Sequence, residues 1–221
     1  MRRFLTTLLP LLWIGCSPPD RPPARRAVAA PPDTGGAFVL LRGTDTLVTE
    51  RYSRSPGRLE GQLRLADGRL WAYRAEIDPA QLVTRIDQHR TGRGAAPLDA
   101  SAVLGGDSIL RTLRLGAAPP GVQRDTVPPG SVAYVLPSAA LAEQVLRRAR
   151  ALGGDSAQIP VAALGPSGVV RERVRVLWLP GDSARISVSG NEVWLAVDSA
   201  GRILGARNPN LDLRLERVGG G

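Results

Sequence analysis

One stretch of the chain has helical periodicity, and it constrains how the rest can pack. Its apolar residues recur every three or four positions: Leu141, Val145, Ala149 and Leu152. Its polar residues occupy the other face: Glu143, Gln144, Arg147, Arg148 and Arg150. Ser138 suits the N-cap, and Gly153 suits the C-terminal stop. The pattern predicts an amphipathic helix over residues 138–152 with one buried side.

Short runs of alternating apolar and polar residues make up most of the remaining chain. Residues 59–65 alternate and run into Asp67-Gly68, which is a strong hairpin signal. Roughly a dozen such runs between 37 and 218 predict a mainly β fold, an antiparallel meander. A sheet with that many strands curls, so we expect a half-barrel or barrel-like sheet with the helix packed on it.

The charge of the chain favours anionic partners but not nucleic acid. Every one of the 29 basic residues is Arg, and the formal net charge is +9. An Arg-only composition is simply explained by a GC-rich genome. The positive charge still favours phospholipid headgroups. Long basic blocks and aromatic stacking platforms are missing, so nucleic-acid binding is not expected.

The N-terminus has the pattern of an export signal. Two arginines precede a short apolar stretch, residues 4–14, which is too short to span a bilayer. The stretch ends in Trp13-Ile14-Gly15-Cys16, which resembles the lipobox of bacterial lipoproteins, and Cys16 is the only cysteine. This resemblance implies a signal peptide over 1–15, lipidation of Cys16 and attachment to a membrane. The alternative is an ordinary secretory leader with an incidental cysteine.

The resemblance also implies a location. Ser17 rather than Asp follows the cysteine, and in lipoproteins this favours the periplasmic face of the outer membrane, in a cell that has one. Residues 16–36 are rich in proline and predict an extended tether. Residues 37–218 predict a single β-rich domain, and 219–221 form a glycine tail.

The layout of residues 37–218 loosely resembles the exported half-barrel carriers of lipids and lipoproteins. In those proteins a curved antiparallel sheet and a helical cover surround an apolar hollow. The layout is also similar to uncharacterised β-rich proteins of bacterial envelopes. The resemblance is one of layout and transfers no functional residue.

Three Gly-Asp-Ser triplets are the clearest candidates for chemistry, and they contain Ser108, Ser156 and Ser183. An esterase of this type needs a histidine downstream, but His89 is the only histidine and precedes all three. We therefore predict turns at these sites. Asp33-Thr34-Gly35 matches the aspartic-protease triplet, but it lies in the tether without a second copy. The sequence has no metal-ligand cluster and no nucleotide-binding fingerprint. We therefore predict that the protein binds no cofactor and no metal, and that it is not an enzyme.

Two groups of side chains are candidates for contacts with other molecules. Trp71, Tyr73 and Trp178 alternate along strands and either line a ligand hollow or belong to the core. Arg171, Arg173 and Arg175 form a row on one strand face, which we call the arginine row. The row either holds an anionic or protein partner or is solvated, with Glu50, Glu60 or Glu192 nearby.

Three functions follow from these patterns. The first is a lipid-anchored envelope protein whose sheet binds an apolar or amphiphilic ligand without chemistry. The second is an accessory lipoprotein that docks an envelope protein partner. The third is a serine hydrolase. An internal apolar hollow would favour the first function, and a filled core with an exposed apolar patch would favour the second.

Overall fold

The structure, a computed structural model, describes residues 35–92, 94–165 and 168–219. It contains β-strands, one α-helix and one short 3₁₀ turn, Pro209–Leu211. The strands are β1 (Gly36–Arg42), β2 (Asp45–Ser55), β3 (Arg58–Leu65), β4 (Leu70–Ile77), β5 (Val83–Gly92), β6 (Ala95–Gly105), β7 (Ser108–Leu115), β8 (Gly121–Thr126), β9 (Val132–Tyr134), β10 (Ser156–Gly165), β11 (Gly168–Leu179), β12 (Ser183–Val188), β13 (Asn191–Val197), β14 (Ile203–Asn208) and β15 (Leu213–Val218). The helix is α1 (Ala139–Leu152), between β9 and β10. The signal peptide, Cys16 and nearly all of the tether lie outside the described residues.

All fifteen strands belong to one sheet, in the order β8-β7-β6-β5-β4-β3-β2-β1-β15-β14-β13-β12-β11-β10-β9. From β1 to β8 and from β10 to β15, each strand pairs antiparallel with the next, and β1 pairs antiparallel with β15 near the middle of the sheet. Among the described strands only β9 and β10 pair in parallel, because α1 connects them and lets the chain cross over. Within the described residues no ladder joins the outer strands β8 and β9, so the sheet is open. The predicted mainly β fold, a curled antiparallel meander with one helix, is confirmed.

Strand alternation directs one set of side chains into the curl of the sheet. On β3, Leu59 and Leu63 are fully buried, and the cross-strand partner of Leu59 on β4, Ala75, is buried too. The same inward face continues to Phe38 on β1, whose ring stacks on Tyr52 with centroids 5.6 Å apart. The core therefore lies on the concave side of the sheet and is continuous across it.

Helix α1 begins and ends where the sequence predicts. The backbone N–H of Leu141 donates to the Ser138 side chain, and Gly153 ends the helix with a φ of +77°. The prediction of an exposed polar face is wrong for Glu143 and Gln144, which are fully buried. The helix lies inside the curl, so partners on surrounding strands reach its polar side as well as its apolar side.

The two halves of the sheet approach each other near β8 and β10, and arginines bridge them. Arg111 of β7 donates to the carbonyl oxygen of Gly165 at 3.0 Å, and Arg171 of β11 donates to the carbonyl oxygen of Thr126. Arg111 also bonds Asp125 of β8 at 3.2 Å. We call Arg111, Asp125 and Arg171 with these two carbonyls the seam. Side chains rather than a β ladder thus hold the open sheet in its curled shape.

Candidate functional site

An apolar hollow of about 360 Å³ lies between the start of α1 and the C-terminal half of the sheet. Its walls are inward-facing residues of β1 and β11 to β15, the segment before α1, and the first turns of the helix. The lining residues are Leu40, Tyr134, Leu136, Pro137, Ser138, Ala139, Ala142, Val145, Val174, Ile186, Val188, Val193, Leu195, Ile203, Ala206, Arg207, Asn208, Leu213 and Leu215. Volume and lining match those of small-molecule binding sites, which are mostly apolar and hold about 300–1,000 Å³.

Small side chains on α1 make room for this hollow. Ala139 and Ala142 present only methyl groups to it, and Val145 follows one turn later. The opposite wall is built by strand alternation: Ile186 and Val188 of β12 are two residues apart and face inwards. A helix with larger residues in its first turns would fill the same space.

A buried polar cluster holds the helix start beside the hollow. Glu50 of β2 accepts hydrogen bonds from the Tyr73 hydroxyl at 2.7 Å and the Ser138 hydroxyl at 2.6 Å. It also accepts from the backbone N–H groups of Ala139, at 2.7 Å, and Ala140, at 3.2 Å. Glu50 thereby accepts hydrogen bonds from backbone N–H groups that have no partner within the helix, at the positive end of the helix dipole. We call Glu50, Tyr73 and Ser138 the cap cluster.

Burial shifts the titration of the cap cluster. Loss of solvation raises the pKa of Glu50, and its four hydrogen bonds oppose that rise. Burial and the neighbouring Glu50 carboxylate raise the pKa of Tyr73 well above its ordinary value. Every member has a hydrogen-bond partner, so the cluster fixes the position of the helix start.

A second buried carboxylate ties the middle of α1 to the sheet. Glu143 accepts hydrogen bonds from the guanidinium of Arg217 and from the backbone N–H of Ile203, the latter at 2.8 Å. Its other oxygen lies 3.7 Å from Arg54. Burial raises the pKa of Glu143 to about 7, although the arginines act in the opposite direction. We call Glu143, Arg54 and Arg217 the ionic tie.

None of the three predicted aromatic ligand contacts is among the residues that line the hollow. Trp71 is half-buried with the Arg90 guanidinium 4.1 Å from its ring, and Trp178 is half-buried with the Arg150 guanidinium 3.6 Å from its ring. Tyr73 belongs to the cap cluster. Their role as ligand contacts stays a prediction. Other residues form the walls of the hollow.

The arginine row lies on the outer face of β11, and its members are not equivalent. Arg171 is part of the seam, 3.6 Å from Asp125. Arg173 and Arg175 are exposed on the same face. Of the three glutamates expected nearby, Glu50 is buried in the cap cluster instead. The acidic partner of Arg171 is Asp125, which comes from the distant edge strand β8.

Each Gly-Asp-Ser triplet lies at a turn, and its serine is the first residue of a strand. Two of these serines bond the carbonyl three residues earlier, Ser108 at 3.2 Å and Ser183 at 2.8 Å. His89 lies on β5 opposite Asp99, with Nδ1 2.6 Å from the carboxylate. The triplets thus form the predicted turns. Within the described residues, no group of three or more His, Cys, Asp or Glu side chains has the arrangement of a metal site.

A larger depression of about 880 Å³ opens on the outer face of β2 to β7. Several of its charged residues form pairs with each other, such as Arg74 with Glu60 at 2.5 Å and Arg114 with Asp99 at 2.6 Å. Exposed pairs of this kind contribute little binding energy. We therefore place the candidate site in the apolar hollow, although it is the smaller of the two.

The wall residues of the hollow were not identified from sequence. Alternation identifies which residues of a strand share a face, but not which part of that face remains uncovered. The run of small residues at the start of α1, Ala139, Ala140 and Ala142, is the signal that was available. In a helix otherwise rich in Leu and Arg, such a run indicates close approach or open space on one side.

Comparisons with known proteins support the fold. No protein-family model matches the sequence, and no curated protein matches it. Among solved structures, a DUF1089 family protein from Pseudomonas aeruginosa is similar, with a TM-score of 0.57 and 18% identity over 76% of this chain and 91% of that chain. A β-barrel-like protein of the domain of unknown function DUF1849 from Brucella abortus has a TM-score of 0.47 and 10% identity, over 83% of this chain and 94% of that chain. The first likeness shows that the two proteins share a fold.

Proposed function

We propose that the domain binds the apolar part of an amphiphilic ligand in the hollow and performs no chemistry on it. The observation that carries this proposal is the hollow itself, about 360 Å³ with walls that are almost entirely apolar. Val188 and Leu213 in these walls are half-buried. A ligand that covers their apolar surface is stabilised in the hollow by about 25 cal/mol for each Å² removed from water. The lining residues present no set of groups suited to acid–base or nucleophilic work.

We further propose that the protein is exported and attached to the membrane through a lipidated Cys16, at the periplasmic face of the outer membrane in a cell that has one. The lipobox resemblance supports this proposal. The position of the domain agrees with it, because β1 begins at Gly36, directly after the proline-rich residues of the proposed tether. A lipid-bound envelope protein with a hollow for apolar chains fits a role in carrying amphiphiles.

A test of ligand binding uses the full chain with Cys16→Ser, purified without detergent. Native mass spectrometry and solvent extraction reveal any co-purified amphiphile, and N-phenyl-1-naphthylamine serves as a probe of the hollow. We expect either a stoichiometric lipid or saturable probe binding whose fluorescence rises to a 1:1 endpoint. A folded protein that carries no lipid and leaves the probe fluorescence unchanged would rule out the proposal.

A separate test addresses the anchor. Cells that express the wild-type chain are labelled with radioactive palmitate, beside cells that express Cys16→Ser. We expect label on the wild-type protein only, and wild-type protein in the membrane fraction. Unlabelled wild-type protein that is cleaved and released would instead support an ordinary secretory leader.

The docking function is a second candidate, because Arg173 and Arg175 are exposed side by side on β11. In that case the double variant Arg173→Glu/Arg175→Glu abolishes pull-down of the partner and leaves amphiphile binding unchanged. Arg64→Glu/Arg114→Glu on the other half of the sheet is the control. Equal pull-down by both double variants would remove the arginine row from consideration.

A further inference from the structure

The hollow has one closed end and one open end. On β12 the inward residue Ala184 is fully buried, while Ile186 and Val188 further along are half-buried. On the partner strand β13, Leu195 and Val197 are buried, and Val193, nearer the turn, is half-buried. The apolar wall is therefore sealed by α1 at one end and reachable by solvent towards the turn at Ser189 and Gly190.

Most of the rim at the open end is apolar, and the exposed Arg207 also lines the hollow. Leu136, in the segment before α1, lines the hollow and is 58% exposed. Leu213 and Val188 line it as well, and both are half-buried. A ligand that enters here meets apolar side chains first, so its apolar end leads and its polar head stays at the solvent-exposed rim.

The volume limits how much chain can enter. A methylene occupies about the space of one water molecule in the liquid, ~30 Å³, so the hollow holds about a dozen methylenes. Two chains of that length need roughly twice the space. Protein interiors are close-packed and accommodate extra volume poorly, so a second chain would have to displace α1 or stay in water.

Moving α1 aside is unfavourable because the cap cluster and the ionic tie hold it on two sides. Glu50 binds the helix start, and Glu143 joins the helix to Arg217 of β15. Displacement of the helix would leave Arg217 and these buried carboxyl groups without their hydrogen-bond partners, which is strongly unfavourable. The hollow therefore keeps its volume when a ligand binds.

From these observations we propose that the hollow is selective for amphiphiles with a single unbranched chain of about a dozen carbons, which enters tail first past Leu136. This inference rests on the proposed function and adds the number of chains and the direction of entry.

The test uses two lipids that differ only in the number of chains: lauroyl lysophosphatidylcholine and dilauroyl phosphatidylcholine. Full-chain protein with Cys16→Ser is equilibrated with vesicles that contain both, separated from them, and analysed by native mass spectrometry. We expect a 1:1 complex with the single-chain lipid, at least tenfold more abundant than any complex with the two-chain lipid.

Two variants of the same helix locate the binding. Ala142→Phe places a ring in the hollow, whereas Ala151→Phe places the same ring on the exposed side near the end of α1. We expect Ala142→Phe to reduce the abundance of the lysolipid complex at least tenfold and Ala151→Phe to leave it unchanged. Circular dichroism and thermal unfolding verify that both variants fold.

The outcomes separate this inference from the proposed function. Equal binding of both lipids would overturn the single-chain selectivity and leave amphiphile binding intact. Lysolipid binding that survives in folded Ala142→Phe would show that the ligand lies elsewhere, which also overturns the inference. Binding of neither lipid nor the naphthylamine probe would overturn the proposed function itself.

Discussion

Gly61 of β3 shows how closely a single residue can be fitted to the buried polar cluster. It lies directly opposite Tyr73 on β4, and a Cβ atom at Gly61 would lie 2.4 Å from the Tyr73 ring. The ring can therefore cross the strand and present its hydroxyl to Glu50 only because Gly61 has no side chain. In the sequence this glycine occupies one position of an ordinary alternating strand.

We predict that Gly61→Ala destabilises the domain by about 1–3 kcal/mol, because the tyrosine must shift and its hydrogen bond to Glu50 weakens. The free energy of unfolding is measured by urea titration with tryptophan fluorescence. Gly105→Ala on β6 is the matched control, because a Cβ there meets no atom within 4 Å. Equal unfolding midpoints for the two variants would contradict this account of Tyr73.

At the scale of elements, α1 is an internal helix with charged ties rather than a cover with one apolar side. Glu143 connects it to β15 through Arg217 and to β2 through Arg54. Gln144 accepts from Arg54 at 2.8 Å and donates to the Gln81 carbonyl at 3.0 Å. Buried hydrogen bonds to several strands fix the position and the rotation of this helix. An apolar stripe alone would fix both less tightly, because apolar contacts are not directional.

The ionic tie makes the stability of this helix depend on pH. Folded Glu143 keeps its proton up to about pH 7, whereas the unfolded chain releases it near pH 4.5. The folded state therefore binds more protons in this window, and its stability falls as the pH rises. We expect the unfolding free energy of the wild type to drop by about 1–3 kcal/mol relative to Glu143→Gln between pH 5 and pH 8.

Urea titrations of both proteins at several pH values measure this difference. Glu143→Gln resembles the protonated carboxyl and removes its titration. Glu50, whose pKa is also raised by burial, contributes to both curves and cancels in the comparison. Parallel curves over this range would show that Glu143 is ionised in the folded protein throughout.

At the scale of the whole molecule, the curl of the open sheet depends on contacts between strands far apart in the sheet order. Arg111 is 2% exposed and joins β7 to Gly165 of β10 and Asp125 of β8. Arg171 adds a second bridge from β11. The seam thus adds direct contacts between the two ends of the sheet to the ladder around β1 and β15, the shared core and the bonds through α1.

We predict that Arg111→Met lowers stability by about 2–4 kcal/mol, because it removes a buried donor from the largely buried Asp125 carboxylate and from the Gly165 carbonyl. Amide hydrogen exchange should quicken in β8 and at the end of β10. Arg114→Met is the control on the same strand, since Arg114 is exposed and pairs with the half-exposed Asp99, and we expect a change within about 0.5 kcal/mol. Unaltered exchange in both edge regions of Arg111→Met would contradict a structural role for the seam.

The sequence alone determined the class of fold and the position of its helix. Apolar residues recur with a period of two in the strands and near 3.6 in residues 138–152. Both periods depend only on which face of each element is buried. Such local patterns predict secondary structure without knowledge of which other elements pack against it. The N-cap Ser138 and the turns at the Gly-Asp-Ser triplets were predictable for the same reason, since their hydrogen bonds join residues close in sequence.

Only the tertiary structure decided what lies inside the curl. Glu50, Glu143 and Arg111 have the ordinary sequence context of exposed charges. Their burial depends on distant partners such as Ala139, Ile203 and Gly165, which lie 54 to 89 residues away in sequence. The hollow depends on small residues of α1 facing half-covered strands on the far side of the sheet. Long-range packing creates these features. A polar group can be buried only where the folded chain brings hydrogen-bond partners to it, and an apolar wall stays open only where no other element covers it.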